Sequence, residues 1–201
     1  SWPAWVLLPV MCIAAAIGGG LWGLLPAAFR AKWGTNETRF TLRLNYIAIG
    51  VVKYLQGGPW EKIPKGTQMI ERFGTAARLP NVWGVTAGGI IVLVMVIFMY
   101  CYLRYTKHGY QIAVVGESEA TARYAGIEVG KVIMRTMFVS GAIAGIVGFI
   151  VVSGINYTLS DSVAGGVGFT GITVAWLAAL NPIGMVFISA LLAVLTKGAS
   201  T

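Results

Sequence analysis

Residues 89–103 read GIIVLVMVIFMYCYL, fifteen consecutive positions without a charge. A helix that crosses a bilayer needs about 20 mostly apolar residues. The surrounding run, from roughly Val82 to Leu103, satisfies that. Two further runs do so. The first extends from roughly Ala4 to Leu25, with Pro9 near its start and Pro26 closing it. The other extends from roughly Val132 to Ile155, where Arg135 near the start can snorkel its guanidinium to the interface. The whole chain agrees with these windows. Of its 201 residues, 57 % are hydrophobic and 11 % charged, against about 25 % charged in soluble domains. Mean hydropathy is +0.76. Intrinsic disorder is excluded and an ordinary water-soluble enzyme is disfavoured. The fold class expected is all-α: a polytopic transmembrane helix bundle.

Two stretches read less simply. Phe40 to Leu55 is apolar but short, with Arg43 and Lys53 near its ends; a tilted or thin span fits it. Phe169 to Thr196 is too long for one simple span and is broken by Asn181-Pro182, because proline removes a backbone donor and disfavours helix in the residue before it. It reads as a broken or re-entrant helix pair near the C-terminus. Such backbone survives at membrane depth only where protein or an aqueous cavity covers it.

The net charge of +8 does not point to nucleic acid, because the cations lie between the apolar runs, where membrane proteins keep topology-setting charge. If Phe40 to Leu55 crosses, Arg30, Lys32, Arg39, Arg43, Arg104, Lys107, Arg123, Lys131 and Arg135 share one side. Lys53, Lys62, Lys65, Arg72 and Arg78 lie on the other. The positive-inside rule then assigns the richer side to the cytoplasm. The chemistry-bearing residues are sparse. Cys12 and Cys101 sit inside apolar runs, as packing residues do. The single histidine, His108, in a polar loop beside Gly109, excludes multi-histidine metal centres, and no G-x-x-x-x-G-K-[ST] phosphate loop is present. No metal or cofactor is expected, and ATP hydrolysis by this chain is not. No charged leader or A-x-A cleavage site precedes the first run, so it does not read as a signal peptide. The chain reads as one membrane domain over residues 1–201, a fragment of a longer protein.

The most informative polar segment is 104–131. Ser118 is placed to cap a short helix from Glu119 to Ala125, with Glu119 near the positive dipole end. Gly126 suits a left-handed cap. Ala120, Ala122 and Ala125 would let a partner approach closely; a plain solvated linker is the competing reading. Elsewhere, Gly166, Gly168 and Gly171 form a G-x-G-x-x-G that lacks the following acid of a dinucleotide fingerprint. It reads instead as a glycine-rich helix start, packed closely or lining a pore. Gly19/Gly23 and Gly141/Gly145 are small-x-x-x-small pairs that permit close helix crossing. Thr41 and Asn45 share a helical face. A buried amide must be satisfied, so Asn45 either bonds another helix or faces a substrate path. Asn156, Tyr157, Thr158, Ser160 and Asp161 form a cation-free polar cluster at a span's outer end, read either as a vestibule or as an ordinary loop.

The segment KHGYQIAVVGESEATARYAGIEVGKVI resembles the cytoplasmic loop of bacterial ABC-importer permeases for simple sugars and nucleosides. Their pattern is approximately T-x-x-G-x-x-x-R-A-V-G-x-x-x-x-A-A-x-Y-A-G-I. Thr106, Gly109, Val115, Gly116, Ala122, Tyr124, Ala125, Gly126 and Ile127 match. Ala113 replaces the usual Arg, and Val114 and Thr121 replace Ala. Upstream, Ala31, Gly34, Asn36, Glu37, Thr41, Leu42, Leu44, Asn45, Tyr46, Ile47 and Ala48 match the same family. Downstream, SGAIAGIVGF and the glycine-rich segment through Asn181-Pro182 are similar to it. The resemblance implies a permease subunit that translocates nucleosides or simple sugars in a bacterial cytoplasmic membrane. It implies three partners besides the lipid bilayer: a separate ATP-binding cassette subunit, an extracytoplasmic substrate-binding protein, and a second permease subunit, identical or not. It implies ATPase coupling through Gly109, Val115, Gly116, Ala122, Arg123, Tyr124, Gly126 and Ile127. Thr41, Asn45, Asn156 and Tyr157 are the candidates for the substrate path. An ion-coupled transporter or channel would need ionisable groups within the spans, and no acid lies mid-span. A membrane-embedded enzyme lacks an evident constellation.

Overall fold

The computed structural model describes residues 4–59, 74, 77, 79, 81–82, 85–158 and 166–198. Lys62, Lys65, Arg72, Arg78, Ser160 and Asp161 lie outside the described residues. The described residues form eight α-helices and one short strand pair: α1 Ala4–Trp33, α2 Glu37–Gln56, β1 Asn81–Val82, β2 Val85–Thr86, α3 Ala87–Tyr105, α4 Lys107–Glu117, α5 Glu119–Tyr124, α6 Val129–Val151, α7 Val167–Leu177 and α8 Pro182–Gly198. A π-helical turn, Val152–Asn156, prolongs α6. Among the described residues, three helices are long and apolar enough to cross a membrane: Trp5–Trp33, Ala87–Tyr105 and Val129–Asn156. The large apolar side chains along them point outward, Leu93 and Ile97 of α3 and Ile13 and Leu21 of α1 among them. An aqueous protein would bury such residues; a bilayer solvates them.

Two boundaries differ from the sequence expectation. Pro26 does not close the first helix, which continues to Trp33 with both Pro9 and Pro26 inside it. Proline costs one backbone bond, but tertiary packing tolerates it in membrane helices; Pro26 and Ala27 are buried. The third helix begins at Ala87, not near Val82. Asn81 pairs with Thr86 and Val82 with Val85 in an antiparallel bridge, a conformation that suits β-branched residues.

The central unit is an antiparallel pair, α1 against α6. A Cβ on Gly130 would lie 3.7 Å from Ala31 Cβ, and one on Gly23 would lie 2.7 Å from Met137 O. One on Gly19 would overlap Gly141 O, and one on Gly145 would overlap Ala15 O. The two small-x-x-x-small pairs are thus each other's partners, and backbone meets backbone. Lipid tails are as apolar as leucine, so close van der Waals packing of this kind drives association in a bilayer. At one end of the pair, Leu79, Phe149 and Ile150 form a buried cluster, flanked by Leu8, Met11, Cys12 and Ile91. Gly88 lies against Ile150 there, so α3 runs parallel to α1 and antiparallel to α6.

This arrangement defines a basic end, holding the C-terminus of α1 and the start of α6, and an opposite end. α2 starts at the basic end after a three-residue turn, its first N–H groups capped by Asn36 Oδ1 (3.1 Å to Thr38 N, 3.3 Å to Arg39 N). Leu79 reappears at the opposite end, where its N–H donates to Ser153 O at 3.0 Å. The chain therefore traverses the bundle between them. With 20 residues, α2 is about 30 Å long, and it is more polar than the three apolar spans.

The final stretch is broken as expected. Ala179 (φ 49°) and Leu180 (φ 60°) are left-handed. Asn181 Oδ1 then accepts from Ile183 N at 3.1 Å, capping α8. Of the two pieces, α7 has 11 residues and is about 16 Å long, too short to cross alone. Gly166, at φ 75°, starts α7, and Cβ atoms on Gly168 and Gly171 would meet no described residue within 4 Å.

Candidate functional site

The basic end carries two short helices between α3 and α6. Thr106 starts the first, α4: its Oγ1 accepts from Gly109 N at 3.1 Å and donates to Tyr102 O at 2.6 Å. A side chain at Gly109 would overlap the backbone of Leu103, so glycine is required for the tight turn from α3. The helix α4 was not separately visible in the sequence, and it puts His108 in a first helical turn and not in a loop. Ser118 serves both helices. Its N–H donates to Val114 O at 3.1 Å, ending α4. Its Oγ accepts from Thr121 N at 3.2 Å, starting α5. At the other end of α5, Gly126 (φ 75°) donates to Arg123 O at 3.0 Å and Ile127 N donates to Ala122 O at 2.9 Å. Those two bonds make a Schellman closure, one residue earlier than a helix ending at Ala125.

The residues singled out in this loop divide into three groups. Gly109 and Ala122 are buried, Ala122 completely; they hold the loop to its own chain and offer nothing to a partner. Val115 and Ile127 are half-buried. Gly116, Arg123, Tyr124 and Gly126 are exposed, with Tyr124 94 % accessible. The outward face of α5 is therefore Ala120, Arg123, Tyr124 and Ala125. It corrects the expectation that all three alanines face a partner.

An ion pair ties α5 to α1: Arg30 Nη2 lies 3.2 Å from Glu119 Oε1. The two residues are 89 positions apart, and only their opposite charge hinted at the contact. Around it lies an open cavity of about 570 Å³ lined by Arg30, Gly34, Asn36, Glu119, Arg123 and Gly130. Arg30 thus joins α1, the α1–α2 turn and α5. Glu128 Oε2 pairs with Lys131 Nζ at 2.8 Å.

Tyr102 Oη lies 2.5 Å from His108 Nδ1. Burial, then the nearby Arg135 guanidinium, lowers the His108 pKa below its ordinary 6.5, so the ring is neutral at pH 7. The acids Glu117, Glu119 and Glu128 all lie outside the three apolar spans. Among the described residues no cluster of His, Cys, Asp and Glu is arranged to hold a metal.

The substrate-path candidates do not converge. Thr41 lies a turn into α2 near the basic end, its Oγ1 donating to Thr38 O at 3.0 Å. Asn45 is exposed on α2 and makes no interhelical hydrogen bond among the described residues. Asn156 and Tyr157 are at the opposite end, where Tyr157 takes a left-handed φ of 54°. Beside them is a feature the sequence did not announce. Ser153, inside the π turn, is fully buried, and its Oγ has no hydrogen-bond partner among the described residues.

A multi-pass helical membrane protein with a capped helical loop at its basic end is the class these features define. The chain belongs to the family described as branched-chain amino acid transport system / permease component, whose model matches residues 2–201. It is 32 % identical over 204 residues to the guanosine ABC transporter permease protein NupP of Bacillus subtilis, covering 98 % of this chain and 58 % of that protein. It is 30 % identical over 214 residues to the glucose ABC transporter permease protein TsgB13 of Haloferax volcanii, covering 100 % of this chain and 56 % of that protein. The nucleoside ABC transporter permease protein NupB of Lactococcus lactis is 29 % identical over 211 residues, covering 98 % of this chain and 57 % of that protein. The chain spans little more than half the length of these relatives. No solved structure matches it.

Proposed function

We propose that this chain is the major part of the transmembrane permease domain of an ATP-driven importer that translocates nucleosides or simple sugars. The observation that carries the reading is α5: a doubly capped, outward-facing helix at the basic end, joined to α1 through Arg30–Glu119. In this reading a separate ATP-binding cassette subunit docks on the face of Ala120, Arg123, Tyr124 and Ala125. ATP binding on that subunit pulls α5, and the ion pair and the short link to α6 carry the movement into α1 and α6. Those two helices move as one body because their backbones touch. The ATPase must bind the inward and outward states with different affinity, since only a differential interaction shifts their balance. A second permease subunit completes the passage, and an extracytoplasmic binding protein delivers substrate at the opposite end. The basic end faces the cytoplasm of a bacterial cell, in line with the positive-inside rule. The names of the relatives, which include guanosine, nucleoside and glucose permeases, support the substrate class.

Uptake of labelled guanosine and glucose by cells expressing the intact permease with its ATPase and binding protein tests this. Uptake of one class, abolished by a hydrolysis-dead ATPase, is the expected result. Uptake that survives the dead ATPase overturns it.

A further inference from the structure

At the basic end, between α1, α3, α4 and α6, lies a second cavity, of about 490 Å³. Its wall is apolar, with Leu24, Phe138 and Val139 among its residues, and its polar members are Arg135, Tyr102 and His108. Arg135 stands in the second turn of α6, exposed, and has no acidic partner among the described residues. The buried Nε2 of His108 has no hydrogen-bond partner either. A buried donor or acceptor without a partner is costly.

The position limits what can fill such a space. α3 ends at Tyr105 and α6 begins at Val129, so the cavity sits where two apolar spans meet the interface. Its apolar wall continues along α1 and α6 toward the bilayer centre. A free anion satisfies Arg135 but leaves the wall wet. A neutral amphiphile covers the wall but leaves the guanidinium unpaired. An amphiphile whose phosphate headgroup keeps a net negative charge satisfies both, whereas a zwitterionic headgroup brings its own cation beside the guanidinium. We propose that this cavity binds an anionic phospholipid, its headgroup phosphate on Arg135 and an acyl chain along Leu24, Phe138 and Val139. The planar guanidinium donates to phosphate oxygens in a fork. The surrounding cations of this end, Arg104 and Lys107 among them, draw anionic lipid toward the surface. This inference rests on the membrane spans and not on the transport reading.

The test is lipid retention by the purified full-length protein in neutral detergent, measured by native mass spectrometry with added phosphatidylglycerol or phosphatidylcholine. Expected is a preference of about fivefold for phosphatidylglycerol, the size associated with one cation beside an anionic surface. Arg135→Gln should abolish the preference and Arg135→Lys should keep most of it. Arg104→Gln, a cation of the same end outside the cavity, should leave lipid retention in place and lower the preference less than Arg135→Gln does. Val139→Trp, which fills the space and keeps the charge, should reduce retention of both lipids. An unchanged preference in Arg135→Gln overturns the site. Binding of inorganic phosphate at this site without retention of either lipid also overturns it, because the occupant is then a free anion.

Discussion

Single glycines set how near α1 and α6 approach. A Cβ at position 145 would overlap Ala15 O, and because the obstacle is backbone it cannot rotate away. Gly145→Val is expected to destabilise the helix pair by about 1–3 kcal/mol, the usual penalty for overpacking, read as a lower unfolding temperature in detergent. Gly148→Val on the same helix meets open space and should change little. His108 gives a pH signature. Its folded-state pKa is below 6.5, so between the two values the unfolded chain binds more protons, and stability rises with pH across that window. The contribution is complete above pH 6.5 and is lost as pH falls through the folded value. His108→Gln should flatten this part of the stability–pH curve; a curve identical to the wild type contradicts the burial of the ring beside Arg135. Neither the Tyr102–His108 contact nor the exposure of Asn45 was legible in the sequence, because both depend on how separate helices are placed.

Among the elements, α5 was the most legible. Ser118, Glu119 and Gly126 are local signals, and a six-residue helix is defined almost wholly by its caps. Loss of a serine cap costs about 1 kcal/mol. Ser118→Ala should therefore loosen α5, seen as faster amide exchange at Thr121, with α1 and α6 unaffected. Gly126→Val places a β-branched residue at φ 75°, a conformation costing about 1–3 kcal/mol. That variant should weaken ATPase co-purification several-fold while the protein still elutes as the folded species. Undiminished co-purification with transport intact contradicts docking on α5. The Asn181-Pro182 break was equally local. By contrast, Pro26 misleads as a stop signal: its local cost is real, but the helix continues through it with Pro26 and Ala27 both buried. The start of α3 misleads for the opposite reason. Hydropathy does not distinguish Val82, Val85 and Thr86 in a strand pair from the same residues in a helix.

For the whole molecule, composition and hydropathy indicated a membrane bundle, and the three apolar spans agree with that. The direction of each helix required contacts. Arg30 and Glu119 are invisible to each other along the chain, and so is the meeting of Leu79 with Ser153 at the end opposite Asn36. The many outward-facing apolar side chains, and the exposed amide of Asn45 on α2, belong to a chain that spans little more than half of its relatives. The central claim is that α5 is the surface on which the ATPase acts. Its most direct test is a photo-crosslinking residue placed at Tyr124, 94 % accessible, with a control at Tyr46, 71 % accessible on α2, in membranes holding the assembled transporter. Predicted is an adduct with the ATPase from position 124 and none from position 46. An assembly that transports but yields no ATPase adduct from position 124 would contradict the claim.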